Sequence, residues 1–141
     1  MTKKFYVDTA IWIDLYEDRT DYKNESLGSF ALKLVGFIKL KMYKLIITDI
    51  LINELEMRYA LAEIKGMFKP FESITENILS TRNQREEAAR IAKIRDIPPG
   101  DVLHAILARD NKLILITRDK HFRKLRDISK HYKPEDIIGD A

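Results

Sequence analysis

The chain has 141 residues, 45% of them hydrophobic, and no cysteine, which suits one compact domain over residues 1–141 and excludes disulfides and thiolate metal sites. Its formal charge of +3, with a pI near 9.0, is compatible with a polyanionic partner without establishing one. The opening MTKKFYVD turns polar after a few residues, and no run approaches the roughly 20 apolar residues of a membrane helix, so a soluble cytoplasmic protein with no membrane attachment is expected.

After two lysines, Phe5, Tyr6 and Val7 form a short apolar run, read as the first strand. Asp8-Thr9 closes it and can cap a helix whose apolar face is Ile11, Trp12, Leu15 and Tyr16. Residues 17–24 are mostly charged and polar and read as a loop. Ser26 opens a second helix toward Lys41, with Phe30, Leu34, Phe37 and Ile38 at helical spacing. Residues 45–47 predict a second buried strand. Thr48 or Asp49 then starts a third helix over ILINELEMRYALAEI, with Ile50, Leu51, Leu55 and Tyr59 inward and Glu54 near its first full turn. Gly66 and Pro70 break this region, and residues 71–74 read as a short extended piece. Ser80 or Thr81 caps a further helix with Ala88, Ile91, Ala92 and Ile94 on its inner face.

Pro98, Pro99 and Gly100 break the chain again. Asp101 sits where a helix N-cap is wanted, Leu103, Ile106 and Leu107 recur at helical spacing behind it, and Asn111 can end that helix. Residues 113–117 are a continuous apolar, β-branched run, as expected of a strand buried on both faces. Asp119 follows at once. Residues 121–125 predict one helical turn, 128–132 a weaker last strand, and Pro134-Glu135 a terminal helical turn.

Short apolar strands alternating with helices predict a three-layer α/β/α sandwich around a central, mostly parallel sheet. Right-handed crossovers then gather the carboxyl ends of the strands at one edge, where open α/β sheets place their ligands. Asp8 follows the first strand, Glu54 lies one turn into the helix after the second, and Asp119 ends the strand over 113–117. Asp101 precedes its strand and reaches the same edge only if its helix N-terminus faces the cleft.

Three stretches carry a family resemblance: VDTAIWIDL at 7–15, TDILINEL at 48–55 and GDVLHAILARDNKLILITRDKHF at 100–122. They make the chain similar to the PIN domain, the nuclease domain of VapC-type toxins and of several RNA-processing endonucleases. The resemblance implies a PIN-like α/β fold and four catalytic, metal-binding acids: Asp8, Glu54, Asp101 and Asp119. It implies Mg²⁺ or Mn²⁺ as cofactor and RNA as substrate. Thr9 matches the family's Asp-Thr start, and Thr117 a small hydroxyl residue beside the fourth acid. Residues 60–81 match no motif, which leaves the subfamily and the RNA target open.

The chemistry suits those residue types. Carboxylates crowded in one cleft repel one another, and a hard divalent cation removes the conflict. Such a cation acidifies a coordinated water and stabilises charge on the phosphoryl group, as metal-dependent phosphodiester hydrolysis requires. Asp8 and Asp101 are the expected direct ligands, with Asp119 bound directly or through water and Glu54 orienting a water or binding a second ion.

Plainer readings stand beside these. N-capping explains Asp8, Asp101 and Asp119 taken singly, and Glu54 alone reads as a solvated helix residue. Asp14 reads equally as a side chain behind the cleft and as an ordinary helix residue; Asp49 is expected to cap. His104 is expected to be packed or hydrogen-bonded rather than a ligand or base, and His121 and His131 to lie on the surface. Arg118, Lys120, Arg123, Lys124 and Arg126 read equally as an RNA-phosphate contact and as a solvated face. Trp12 and Tyr16 are expected in the core rather than as base-stacking platforms.

The expected function is a metal-dependent endoribonuclease, the toxin of a toxin–antitoxin pair, homodimeric and silenced by an antitoxin protein. The alternatives are a stand-alone RNA-processing nuclease and a non-catalytic RNA- or protein-binding module; the presence of all four acids counts against the last. A receiver or phosphohydrolase domain using Asp8 as nucleophile is disfavoured, because it wants a second acid close to the first and a partnered lysine at a later strand end.

Overall fold

Side chains alternate across the sheet and decide its layers. In the computed structural model, which describes residues 2–139, strand β1 (Lys4–Val7) sends Phe5 and Val7 to one face and Tyr6 to the other. Strand β2 (Lys44–Thr48) repeats this with Leu45 and Ile47 against Ile46. On the Phe5 side pack helices α1 (Thr9–Glu17), α2 (Leu27–Leu40), α3 (Asp49–Glu56) and α4 (Leu61–Phe68). On the Tyr6 side pack α5 (Arg82–Arg95) and α6 (Pro99–Asn111). Strands β3 (Thr75–Ile78), β4 (Ile114–Ile116) and β5 (His131–Tyr132) complete the sheet, and α7 (Pro134–Ile138) packs on α2.

The five strands run in the order β3-β2-β1-β4-β5, every neighbouring pair parallel. The expected α/β/α sandwich is therefore present, with a wholly parallel sheet. From β1 the chain winds outward to β2 and β3, then returns to lay β4 on the other side of β1. Strand order thus reverses between β1 and β4, the point beyond whose strand carboxyl ends open α/β sheets form their ligand crevice. The outer limits of the expected 1–141 domain lie outside the described residues. Among the described residues, no helix is long and apolar enough to cross a membrane.

Several elements differ from the pattern in the sequence. The helix expected over residues 50–64 is two helices, because Arg58 and Tyr59 leave the periodic face to bind Glu17 on α1, with Arg58 Nε 2.9 Å from Glu17 Oε2. Ala60 then turns extended, and Glu63 accepts its N–H at 3.2 Å to start α4, which carries Gly66 within it. Residues Lys69–Ile74 form a 3₁₀ turn rather than an extended piece, since Pro70 sits at its start and Phe71 and Ile74 are buried. The strand comes just after it: TENI, an edge strand too polar to announce itself, pairs with β2 from Leu45↔Thr75 to Thr48↔Ile78. Ile94 points to solvent at 82% exposure and Tyr16 at 47%, so neither belongs to the core. Trp12, at 1%, does.

Candidate functional site

Helix α6 explains how an acid that precedes its strand reaches the carboxyl edge. It runs back along the sheet before β4, so its N-terminus lies at the edge where β4 ends. Pro98 and Pro99 start it, and Asp101 stands third in the helix rather than at the expected cap. Asp8 does cap α1, accepting from Thr9 N at 2.7 Å. Asp119 caps the 3₁₀ turn Lys120–Leu125, accepting from His121 N at 2.9 Å. Capping and placement at the cleft are therefore both true of these two acids. Asp49 belongs to neither group; it holds the N–H and hydroxyl of Ser80, at 2.9 and 2.7 Å.

Two triads face the crevice. In the inner one, Asp8, Glu54 and His104 bring one ligand atom each within 4.8 Å of one another. Asp8 is nearly buried, and Thr117 donates to its Oδ2 at 2.8 Å. His104 is wholly buried, with Nε2 at 2.6 Å from Glu54 Oε1 and 3.9 Å from Asp8 Oδ1. Its Nδ1 meets the Tyr6 hydroxyl, which also lies 2.7 Å from Thr48 Oγ1. Thr9 Oγ1 donates to Glu54 Oε1.

The outer triad is Asp101, Asp119 and His121, again with ligand atoms mutually within 4.8 Å. His121 Nδ1 lies 2.9 Å from Asp101 Oδ2 and 3.3 Å from Asp119 Oδ1. So His121, expected on the surface, is half exposed yet bound to two of the acids. Its place two residues after Asp119, on a turn that folds back over the edge, was the available signal. Tyr6 was hidden for another reason: strand alternation buries it without naming its partner.

Burial dominates the electrostatics, and like charges add to it at Asp8 and Asp101. Burial pushes the Asp8 carboxyl up, and the Glu54 charge adds to that, against the pull of His104 and the Thr117 hydrogen bond. Burial likewise raises Asp101; the His121 hydrogen bond opposes it, and the charges of Asp119 and Asp8 reinforce it. Burial would also raise Glu54, yet the hydrogen bond and charge of His104 and the bond from Thr9 hold it below its ordinary value. For His104, burial favours the neutral ring, but Glu54, Asp8 and Asp101 together raise its pKa. Hard oxygen donors, some desolvated and mutually repelling, fit a hard divalent cation that would relieve the repulsion.

Around this edge, Asp14 is buried on α1, and burial raises its carboxyl against the pull of Arg19 and Arg118. Arg118 itself pairs with Glu135 through two contacts and lies 5.7 Å over the Phe30 ring, so it is not part of an open basic face. Lys120, Arg123 and Lys124 are exposed beside Asp119.

A protein-family model described as PIN domain matches residues 5–128. No curated protein matches by sequence. Among solved structures, the chain is similar to a toxin–antitoxin complex from Klebsiella pneumoniae, at 20% identity and a TM-score of 0.62, over 92% of this chain and 97% of that one. It is also similar to VapBC2 from Rickettsia felis bound to a promoter DNA fragment, at 14% identity and a TM-score of 0.64, over 92% of this chain and 99% of that one. At such identities the likeness is one of fold. The family match spans both strands that frame the crevice and all of Asp8, Glu54, Asp101 and Asp119, and the chain belongs to the PIN domain family.

Proposed function

We propose that residues 1–141 act as one Mg²⁺- or Mn²⁺-dependent endoribonuclease. The observation that supports this reading is the pair of clusters Asp8–Glu54–His104 and Asp101–Asp119–His121, which between them hold all four acids, in a chain of a nuclease family. Asp8 and Asp101 hold the cation, Asp119 holds it directly or through water, and Glu54 orients a water or a second ion. When bound, the cation supplies Lewis acidity toward phosphate oxygens and makes a coordinated water more acidic. Thr117 and Thr9 donate to Asp8 and Glu54 and fix their orientation. Buried Asp14 lies behind them on α1. Lys120, Arg123 and Lys124 contact the RNA backbone and set its position without reading sequence.

Within this reading the chain is a cytoplasmic toxin of a toxin–antitoxin pair, homodimeric and silenced by an antitoxin. The fold likeness to two proteins solved as toxin–antitoxin assemblies supports that role. The test is incubation with labelled single-stranded RNA in Mn²⁺ or EDTA, beside Asp101→Asn. Cleavage that needs both the metal and Asp101 is expected. A folded protein that binds no metal and cuts nothing overturns the enzyme reading. Growth arrest on induction, relieved by a small reading frame immediately upstream, is expected of a toxin; its absence favours an RNA-processing role.

A further inference from the structure

We infer that His104 is a positioning residue for Glu54, fixed through Tyr6 and Thr48, and that it leaves Glu54 Oε2 as that side chain's one oxygen for the cation or its water. The inference rests on the metal-site reading above and assigns the division of labour within it.

His104 and Tyr6 are both 0% exposed, so their polar atoms are closed off from bulk solvent. His104 Nε2 lies 2.6 Å from a carboxylate oxygen, and an ionised carboxylate only accepts. Nε2 therefore carries the proton and cannot also ligate a cation. Nδ1 is taken by the Tyr6 hydroxyl. Tyr6 is held in turn by Thr48 Oγ1, which accepts Leu51 N at 3.1 Å as the cap of α3, the helix that carries Glu54. The chain of contacts leaves α3 at Thr48, crosses β1 at Tyr6 and α6 at His104, and returns to α3 at Glu54.

The oxygens complete it. Glu54 Oε1 accepts from both His104 Nε2 and Thr9 Oγ1, which uses its two lone pairs. Oε2 has no protein donor among the described residues' hydrogen bonds and lies 2.8 Å from where a Cβ on Gly100 would stand. Only a residue without a side chain leaves that oxygen its space. Groups that orient metal-binding side chains in this way commonly carry about 10–100-fold in metal affinity.

The experiment titrates metal-free protein with Mn²⁺ by calorimetry, for wild type, Glu54→Gln, His104→Gln and the double variant, each checked for fold by circular dichroism. His104→Gln is expected to weaken Mn²⁺ binding by about tenfold. The double variant is expected to bind no more weakly than Glu54→Gln alone, because the histidine acts only through that carboxylate. In wild-type protein with ¹⁵N-labelled histidine, Nε2 of His104 is expected to keep its proton at saturating Mg²⁺, a readout that needs no variant to fold. Loss of that proton on adding Mg²⁺ makes His104 a ligand and overturns the inference. So do additive losses in the double variant, or an unchanged affinity in folded His104→Gln beside a wild type that binds. A folded wild type that binds neither ion overturns the metal-site reading itself, and the inference with it.

Discussion

Thr117 donates its hydroxyl proton to Asp8 Oδ2 at 2.8 Å, joining residues 109 positions apart across the point where strand order reverses. The Thr117 hydroxyl oxygen itself accepts the N–H of Asp119 at 3.1 Å. One buried hydroxyl thus links the first and fourth acids of the cleft.

Thr117→Val keeps the shape and removes both bonds. A hydrogen bond to a charged group is worth about 1.5–3 kcal/mol, so urea unfolding is expected to show a loss near the lower end of that range. With its donor gone, Asp8 is also expected to bind protons more tightly. A variant as stable as wild type would mean the hydroxyl contributes nothing.

Gly100→Ala separates site geometry from stability. The backbone there is ordinary, and alanine is favoured over glycine in a helix by about 0.5–1 kcal/mol. The new Cβ would stand 2.8 Å from Glu54 Oε2 and displace it. The expected variant keeps its melting temperature and loses Mn²⁺ affinity. Unchanged affinity would show that Glu54 moves aside without consequence.

Acidification is expected to weaken metal binding earlier than ordinary carboxylates would. Burial raises Asp8 and Asp101, so at a given mildly acid pH each is more protonated than a free aspartate, and the cation must displace those protons. Without metal the sign reverses for the fold. A raised folded pKa stabilises below the unfolded value of 3.8, and that contribution is lost as pH rises through the raised values. Calorimetric Mn²⁺ titrations from pH 7 downward, beside unfolding curves in EDTA, check both directions. A Mn²⁺ affinity flat down to the ordinary carboxylate range would contradict them.

Among the basic residues, structure divides what the sequence groups. Arg123→Glu, at an exposed position, is expected to weaken RNA binding and to reduce the salt slope by about 1 or more. Arg118→Ala removes the pair with Glu135, whose side chains are 21% and 25% exposed, and is expected to loosen α7 with a cost of about 1 kcal/mol. Filter binding across a salt series and thermal melts distinguish the two. Equal effects on RNA binding would return Arg118 to the basic face.

Short-range pattern was enough for much of this molecule. The runs around Tyr6, Ile46 and Leu115 are too short and too continuous to be anything but strands buried on both sides, and caps at Thr81 and Asp8 mark helix starts by local hydrogen bonding. Asp8 and Asp119 stood out at strand ends, and three family motifs point to them together with Glu54 and Asp101. What neighbours in sequence cannot express is which side chains meet across the sheet. Residues 50–64 split in two because Glu17 attracts Arg58 and Tyr59, and TENI becomes a strand because β2 offers it a free edge. Arg118 leaves the basic cluster because Glu135 arrives from the far end of the chain. His104 reads as an ordinary packed histidine until α6 is laid against β1 and α3, when its two nitrogens meet Tyr6 and Glu54. Periodicity places a residue on a face, and only the packing of that face against particular partners sets its charge, its hydrogen bonds and its task.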